Sequence, residues 1–294
     1  ALSIAYSQGK HSSYIRGAGR VARALNETIP DEVNQFRLTN INASMGMHEM
    51  VIDRESFDKH LADEYYPLVE RNSQFHAVTY RKENFDFRPE SKLPAHYWKI
   101  SPSIRSQIGG PDGFYFGDLR LALHSELILK PNFTIVTNAS IGIYNTFDDL
   151  KLASDSVLPH VRTEIVNYLK ESESYNIDTM QFNWFNHFSD DIYTKVSGGI
   201  LEGMFGGIGT EMLYRPFTKN YALGAEIWRV QQRDYDQMFS FRDYKTTTGH
   251  VTLYYQEPKS EVLLLIKGGK FLARDSGIKI DAVSYTHLTL PTKA

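Results

Sequence analysis

Alternation of apolar and polar residues is the clearest pattern in the second half of the chain. In residues 117–129, leucines recur at most second positions and polar or charged residues lie between them. The apolar set is Leu119, Leu121, Leu123, Leu127 and Leu129, and the polar set is Asp118, Arg120, His124 and Glu126. Because successive side chains of a strand point to opposite faces, the segment predicts a strand with one apolar and one charged face.

Similar segments follow this strand and are separated by turn-forming residues. After a strand that begins at Phe133, the predicted strands are 161–170, 177–188, 192–203, 208–217, 221–233, 247–256 and 262–272. Alternating strands of about 9–11 residues are typical of transmembrane β-barrels, in which closure satisfies every backbone hydrogen bond. A soluble β-sandwich also alternates, but soluble strands usually have about 5–6 residues. We therefore expect residues 96–281 to form part of an antiparallel transmembrane β-barrel, incomplete because its C-terminal strands are missing.

The first part of the chain has a different period. Ser12 and Ser13 are candidate N-caps of a helix, and Pro30 is a stop signal for it. Further elements are expected as strands near Phe36 and at 47–53, a short helix at 55–62 and a strand at 75–80. The pattern predicts a small α/β module at residues 10–95. Before it, residues 1–9 could form the end of a strand of an upstream barrel, because Leu2, Ile4 and Tyr6 alternate with small or polar residues.

Composition excludes several classes of protein. The 294 residues are 41% hydrophobic and 13% aromatic, but no apolar run approaches the roughly 20 residues of a membrane-spanning helix. The formal net charge is −3 with scattered Lys and Arg, so no nucleic-acid partner is expected. There is no cysteine, which excludes disulfides, thiol catalysis and Cys-ligated zinc.

The two ends of the chain carry signs of incompleteness. The chain begins at Ala1 with neither Met nor a signal peptide, so we expect the true N-terminus to be absent. Near the other end, VSYTHLTLPT breaks the preceding pattern and back-translates readily to a transposon-type sequencing adapter. We therefore expect native sequence to stop near Asp281 and residues 282–294 to be a read-through tail.

Candidate polar lumen residues come from the charged sides of the predicted strands. They are Asp118, Arg120, His124, Glu126, Glu211, Arg215, Arg229, Gln231 and Arg233. Regular alternation places Glu211 with Arg215, and Arg229 with Gln231 and Arg233. The set predicts either an interior salt-bridge ladder that fills a barrel or a polar track for a sugar chain. Trp228 falls on the opposite face from Arg229, which favours a lipid-facing anchor.

Motifs of catalysis are absent from the sequence. There is no Gly-x-Ser-x-Gly, no His-Glu-x-x-His and no P-loop, and the run 206–209 (GGIG) is better explained as a tight hairpin turn. Carboxylates for glycoside cleavage exist by count alone, and the histidines lack ligand spacing, so no metal or cofactor is expected. The carboxylates considered are Asp118, Glu126, Glu202 and Glu211, and the metal pairs considered are His48 with Glu49 and His124 with Glu126.

The long connections raise a problem of orientation. Residues 144–159 and 234–245 are both long, yet the predicted strand count places them on opposite sides of the membrane. Barrels normally keep one side short. Either the strand count is wrong by one, or one connection is a folded plug or a periplasmic loop.

Several motifs carry a family resemblance. The runs GGILEGMFGGIGTEMLYRPF (198–217) and YALGAEIWRVQQRDYDQMFSFRDYKTTTGHVTLYY (221–255) resemble the YjbH/GfcD family of exopolysaccharide and capsule biosynthesis proteins. The runs SPSIRSQIGGPDGFYFGDL (101–119) and LPHVRTEIVNYL (158–169) are also similar. In GGKFLARDSGIKID (268–281), Lys270, Phe271 and Arg274 depart from the Arg, Tyr and Gly of the family pattern.

The resemblance implies a location and a role. Family members resemble large outer-membrane proteins with two barrel regions, often lipid-anchored, so this piece corresponds to a periplasmic junction module plus most of the second barrel. Such a piece cannot close a barrel alone. The implied partners are an exopolysaccharide chain, outer-membrane lipid and periplasmic components of a polysaccharide secretion system. We expect a non-enzymatic component of export or assembly; the alternatives are a barrel enzyme acting on polysaccharide or lipid, and a structural docking barrel.

Overall fold

The computed structural model describes residues 1–7, 14–62, 71–78, 80–88, 92–108, 112–151, 161–260 and 262–284. The chain divides into two compact units. Unit 1 comprises Ala1–Ser91, Asn186–Tyr193 and Arg215–Lys219, and unit 2 comprises Lys92–Phe185, Thr194–Tyr214 and Asn220–Ala294. No helix among the described residues is long and apolar enough to cross a membrane.

Unit 1 is built on a small mixed sheet with the strand order β1-β2-β3-β4. Its elements are β1 (Leu2–Tyr6), α1 (Tyr14–Thr28), β2 (Gln35–Asn42), β3 (Met45–Asp53), α2 (Arg54–Leu61) and β4 (Gln74–His76). Helix α1 ends before the predicted stop at Pro30, and the Asp53 carboxylate caps α2 by accepting a hydrogen bond from the Ser56 amide. The serines predicted to cap α1 lie outside the described residues.

Strand β1 corrects the prediction for the start of the chain. It does not end an upstream barrel strand, because it pairs in parallel with β2, from Leu2 beside Phe36 to Tyr6 beside Asn40. A parallel pair needs a long crossover, and α1 supplies it. The apolar side chains of β1 pack on the core of unit 1, which is formed by Ala18, Ala22, Phe36, Leu38, Ile52 and Phe57.

Unit 2 is dominated by an antiparallel sheet of ten strands, in which neighbours in sequence are also neighbours in the sheet. The strands are β5 (Ala95–Ile108), β6 (Tyr115–Lys130), β7 (Phe133–Asn145), β8 (Tyr175–Ser189), β9 (Ile192–Ile200), β10 (Phe205–Tyr214), β11 (Tyr221–Arg233), β12 (Phe241–Gln256), β13 (Leu263–Lys270) and β14 (Ser276–Val283). The predicted mainly β, antiparallel architecture is confirmed. In the described residues the sheet is open, with β5 and β14 as its two edges.

A helix replaces one predicted strand. Residues 161–170 were expected to be extended, but Ile165–Glu171 forms helix α3. Its apolar residues Ile165, Tyr168 and Leu169 follow the i, i+3, i+4 spacing of a helix, and Tyr168 and Leu169 are buried. A short apolar run fits both the strand period of about 2 residues and the helix period of about 3.6 residues, so the pattern alone did not distinguish a strand from a helix here.

The helix resolves the problem of orientation. With one strand fewer, the β7–β8 connection (146–174) and the β11–β12 connection (234–240) emerge at the same edge of the sheet. We call this end of the strands the long-loop edge; it is distinct from the two edge strands, β5 and β14. At the opposite edge, the first two connections are the two-residue turns 131–132 and 190–191. The predicted strand count was therefore wrong by one.

The predicted hairpin turn at residues 206–209 is also wrong, because β10 begins at Phe205 and contains all four residues. The turn lies at 201–204 instead. The glycines serve packing within the strand: a Cβ on Gly209 would lie 2.2 Å from the Trp228 ring, and one on Gly206 would lie 2.7 Å from the Phe241 ring. They leave room for aromatic rings of β11 and β12.

Part of the predicted tail belongs to the sheet. Ala282 and Val283 continue β14 and pair with Leu264 and Leu263 of β13. The tail from residue 285 onward lies outside the described residues.

Candidate functional site

One side of the ten-stranded sheet carries a connected set of polar side chains, which we call the polar face. It begins where β5 and β6 pair, because Arg105 lies directly beside Asp118 in the register. The Asp118 carboxylate is buried and its Oδ2 accepts from Arg105 Nη2 at 2.8 Å and from Arg120 Nη1 at 2.5 Å. Two guanidinium groups therefore share one buried carboxylate.

Arg120 also ties the sheet to the chain that follows α3. Its Nε donates to Ser140 Oγ at 2.8 Å, and its Nη atoms donate to the backbone oxygens of Glu173 and Ser172 at 3.0 and 3.2 Å. It also donates to Asn176 Oδ1 at 3.1 Å. Arg120 thus fixes the long β7–β8 connection against the polar face.

The polar face continues across the middle of the sheet. Ser197 Oγ of β9 donates to Asn183 Oδ1 of β8 at 2.8 Å, and Lys195 Nζ donates to Glu211 Oε1 of β10 at 2.9 Å. Glu211 in turn lies beside Glu226 of β11. Residues that pair across two strands lie on the same face of the sheet. The polar face is therefore continuous from β6 to β11.

A second charged cluster lies on β11, β12 and β13. The Glu226 carboxylate accepts from Lys267 Nζ at 2.8 Å, from His250 Nδ1 at 2.9 Å and from Trp228 Nε1 at 3.3 Å. His250 Nε2 is buried and has no hydrogen-bond partner within the described ranges. The cluster joins three strands at one point of the polar face.

Arg233 anchors the loops of the long-loop edge. Its side chain is fully buried and donates to five backbone oxygens: Ile177, Glu202, Gly203, Gln237 and Met238. Tyr168 of α3 donates its hydroxyl to the Arg233 carbonyl at 2.6 Å, and burial raises the pKa of Tyr168 to about 12. The hydroxyl therefore remains a donor at physiological pH.

Helix α3 closes over this end of the polar face. Tyr168 packs with Met204, Phe205 and Val230, and Trp228 lies against the same cluster. Leu169 packs in a neighbouring cluster with Phe116. The described parts of the β7–β8 connection, 146–151 and 161–174, therefore have buried side chains of their own.

The structure brings together some of the predicted polar residues. Asp118, Arg120, His124 and Glu126 share one face of β6, as expected from alternation. His124 Nδ1 lies 2.7 Å from Asn138 Oδ1 on the same face. Glu211 also belongs to the polar face through Lys195.

Other predicted positions are corrected. Arg215 does not share a strand face with Glu211, because β10 ends at Tyr214 and Arg215 falls in unit 1. Arg229 and Gln231 lie on the opposite side of β11, where Arg229 pairs with Ile208. A register irregularity between Gln231 and Arg233 separates Arg233 from them. Such a bulge breaks the simple alternation from which one face was inferred.

Trp228 is corrected as well, because it lies on the polar face with Glu226 and not on the side expected for a lipid anchor. Sequence reasoning missed Arg105, Lys195, Glu226, His250 and Lys267 as members of the polar face. The strand that contains Arg105 was not among the predicted ones. The other four residues lie in predicted strands, but the contacts between them depend on register.

Most carboxylates considered for an acid pair are neutralised by a cation. Asp118 is held by two arginines, Glu211 by Lys195 and Glu202 by Arg162 at 2.8 Å. Nowhere in the described ranges do three or more His, Asp or Glu side chains converge as a metal site would require.

Unit 1 contains a separate titratable residue in its sheet. His48 of β3 is buried between the rings of Tyr14 and Phe75, each with its centroid 4.8 Å away. Its Nε2 has no hydrogen-bond partner in the described part of the chain. Burial, followed by the charge of Arg215, lowers the pKa of His48 to about 4. The imidazole is therefore neutral in the folded unit.

From the lowered pKa of His48 we expect the folded protein to lose stability in mild acid. Unfolding restores an ordinary pKa near 6.5, so the unfolded chain binds the proton first, and stability falls as pH drops from 6.5 toward 4. Between pH 7 and pH 5 we expect the loss from this residue to be about 2 kcal/mol. Thermal unfolding of the full chain should show a smaller pH effect in His48→Gln than in the wild type. An equal drop in both proteins would contradict the assignment.

Comparison with known proteins agrees with the motif resemblance. A family model described as exopolysaccharide biosynthesis protein YbjH matches residues 1–284. The chain is 30% identical over 286 residues to a protein of Escherichia coli (strain K12) named "Uncharacterized lipoprotein YjbH". This match covers 94% of the chain and 40% of the relative, so the chain spans about two fifths of that protein's length. No solved structure matches. The chain belongs to the YjbH family of exopolysaccharide biosynthesis proteins.

Proposed function

We propose that this chain is part of a non-enzymatic outer-membrane β-barrel that holds or guides an exopolysaccharide during its export or assembly. The observation that carries the proposal is the division of the ten-stranded sheet into a connected polar face and an exposed apolar face. In this proposal the polar face lines the barrel interior, the apolar face contacts lipid, and unit 1 lies in the periplasm. Other strands of the longer protein would pair with the edges at β5 and β14.

The apolar face supports contact with lipid. Large apolar side chains on this side are exposed on strands from one edge of the sheet to the other. They include Ile100, Ile104, Leu119, Leu121, Leu123, Ile141, Ile208, Met212, Leu223, Ile227, Val251, Leu253, Ile278 and Ile280. An exposed apolar surface of this extent is unusual for a soluble protein and normal for a lipid-facing strand.

The connections support the same arrangement. The two-residue turns lie at one edge of the sheet, and the folded β7–β8 connection lies at the other. Outer-membrane barrels have short periplasmic turns and longer extracellular loops. The long-loop edge would therefore face the cell exterior.

The polar face supports contact with a glycan. Lys195, Glu211 and Lys267 are partly exposed while still held in ion pairs, and His124 is exposed. Such groups can exchange hydrogen bonds with sugar hydroxyls without leaving a buried charge unpaired. The neutralised carboxylates described above favour binding over hydrolysis.

A structural docking role is the second candidate. It is favoured by the buried Asp118 and Arg233 networks, most of whose hydrogen bonds are made within the protein although Asp118 Oδ1 and Arg233 Nε have no partner among the described residues. It is also favoured by α3, which covers one end of the polar face. The two roles differ in how export of the polymer depends on the barrel. A guiding barrel is required for export of the glycan itself, whereas a docking barrel is required only for its partners to assemble.

A matched pair of substitutions tests the membrane arrangement. Leu123 and His124 are consecutive and both exposed, but they lie on opposite faces of β6. The full-length protein, with its native signal, would be expressed as the wild type and as Leu123→Arg and His124→Arg. Outer membranes would be isolated and their proteins run on a gel with and without heating.

We expect the wild type and His124→Arg to give an outer-membrane band that shifts on heating. Leu123→Arg should lose most of this band, because an arginine on the lipid face costs about 2–4 kcal/mol near the bilayer centre. Equal tolerance of both substitutions, or a protein recovered only in the soluble fraction, would refute the barrel. Secreted polymer measured in the same cells would separate guiding from docking.

A further inference from the structure

An open cleft of about 530 Å³ lies at the long-loop edge of unit 2. Its walls come from the start of α3, the end of β11 and the start of β12, and they include Glu164, Gln232, Asp234, Phe241, Arg242 and Asp243. A volume of this size falls in the usual range of small-molecule sites, about 300–1,000 Å³. None of the polar face residues described above lines it.

Hydrogen bonds and stacking hold several of the cleft side chains in place. Gln232 Nε2 donates to Glu164 Oε2 at 2.9 Å. The Arg242 guanidinium lies 4.2 Å from the Tyr235 ring centroid, and its Nη1 lies 3.5 Å from Asp234 Oδ1. The cleft thus presents a fixed donor and fixed acceptors before any ligand binds.

Two features of the cleft remain available to a ligand. Asp243 is exposed and forms no hydrogen bond or ion pair with any other described residue. Phe241 also lines the cleft and is 45% exposed, although part of its ring covers Gly206. A free carboxylate accepts hydrogen bonds from hydroxyl groups, and an exposed ring packs against apolar C–H groups.

We propose that this cleft binds a pyranose unit that carries no anionic group, an assignment that rests on the proposed contact with an exopolysaccharide. A sugar ring offers both of the required surfaces: hydroxyls around its rim for Asp243 and Arg242, and C–H groups on its face for Phe241. The site would hold a short stretch of the polysaccharide as it passes the long-loop edge.

The charge of the cleft selects the class of sugar. Glu164, Asp234 and Asp243 are opposed by one guanidinium, that of Arg242, which is already shared with Asp234. A uronic acid would bring its carboxylate against this excess of negative charge, whereas a neutral or amino sugar would not. We therefore expect the negative charge of the cleft to disfavour binding of acidic sugars.

Binding of three hexasaccharides to the full-length protein in detergent micelles tests the assignment. The probes are cellohexaose, which is neutral, a glucosamine hexamer, which is cationic, and hexagalacturonate, which is anionic. The variants are Asp243→Asn and Phe241→Leu, with Asp148→Asn as the matched control, because Asp148 is exposed and lies outside the cleft. Calorimetry gives the affinity, and thermal unfolding checks that each variant folds.

We expect cellohexaose or the glucosamine hexamer to bind and hexagalacturonate to bind at least tenfold more weakly. Asp243→Asn and Phe241→Leu should each weaken binding several-fold, and Asp148→Asn should leave it unchanged. Binding of hexagalacturonate as tight as that of the other probes would overturn the assignment. So would the absence of binding by all three, or binding that both cleft variants leave intact.

The outcome is separable from that of the proposed function. If the wild type shows the heat-shifted outer-membrane band and supports polymer export but none of the probes binds, the cleft assignment fails alone. If the protein is absent from the outer membrane, the barrel proposal fails whatever the cleft binds.

Discussion

Replacing Arg233 with methionine is expected to destabilise the protein by about 3–5 kcal/mol. The side chain is fully buried and donates to five backbone oxygens drawn from three separate segments of unit 2. Methionine fills a similar volume but leaves those oxygens without their donor in a site that water does not reach. The measurement is the free energy of unfolding from urea titration of the full-length protein in detergent micelles.

Arg229→Met is the matched control for this prediction. Arg229 is on the same strand, but it is exposed, and its Nη1 makes a hydrogen bond to Thr247 Oγ1 at 3.0 Å. Its loss should change the free energy of unfolding by less than about 1 kcal/mol, as is usual for surface polar contacts. Equal effects at the two positions would show that the buried donors contribute little. Because four of the five carbonyls belong to the loops 201–204 and 234–240, these loops should also become more sensitive to protease in Arg233→Met.

Much of the sheet follows from the period of two alone. The bounds of β11 coincide with the predicted 221–233, and those of β6 and β8 differ from the predictions by one or two residues. In long strands the alternation extends over many residues, and an apolar face fixes which side of the sheet each residue takes. Strand β12 begins earlier than predicted, at Phe241, and its first residues (FRDYKT) do not alternate regularly between apolar and polar.

The errors arose where tertiary structure overrides the local pattern. Helix α3 is a short apolar segment whose type depends on what it packs against. Strand β1 was expected to be extended, and it is, but it pairs with β2 of unit 1 and not with a barrel. Arg229 lies on the side opposite Glu226, where it pairs with Ile208, and the register irregularity between Gln231 and Arg233 separates Arg233 from it. No local signal marks such a position in a single sequence.

The candidate site was predictable only within single strands. Asp118 and Arg120 are two residues apart, so alternation alone places them together. Glu226, His250 and Lys267 meet across three strands, and their contact follows from a register that the sequence does not state. The cleft at the long-loop edge likewise combines α3 with the ends of two strands. Local pattern thus predicts faces, and register determines which charged groups meet on them.

The second large loss in the free energy of unfolding is expected at the Asp118 cluster. Its charge balance can be changed there without changing the shape of the side chain. Asp118→Asn keeps the size of the side chain but removes the negative charge that Arg105 and Arg120 share. Two guanidinium groups would then remain together without the carboxylate that pairs with both, and one of them is almost fully buried. We expect a loss of about 3–5 kcal/mol in the free energy of unfolding.

Glu211→Gln provides the comparison, since it makes the same chemical change at an ion pair that is partly exposed. The Lys195 and Glu211 side chains are 28% and 39% exposed, so water can replace the lost contact, and a change below about 1 kcal/mol is expected. Urea unfolding of both variants in the same micelles gives the two values. If Asp118→Asn is as mild as Glu211→Gln, the arginines must relax into solvent, and the cluster does not hold the β7–β8 connection. If the double variant Asp118→Asn with Arg105→Met recovers part of the loss, the destabilisation comes from uncompensated charge and not from a lost hydrogen bond.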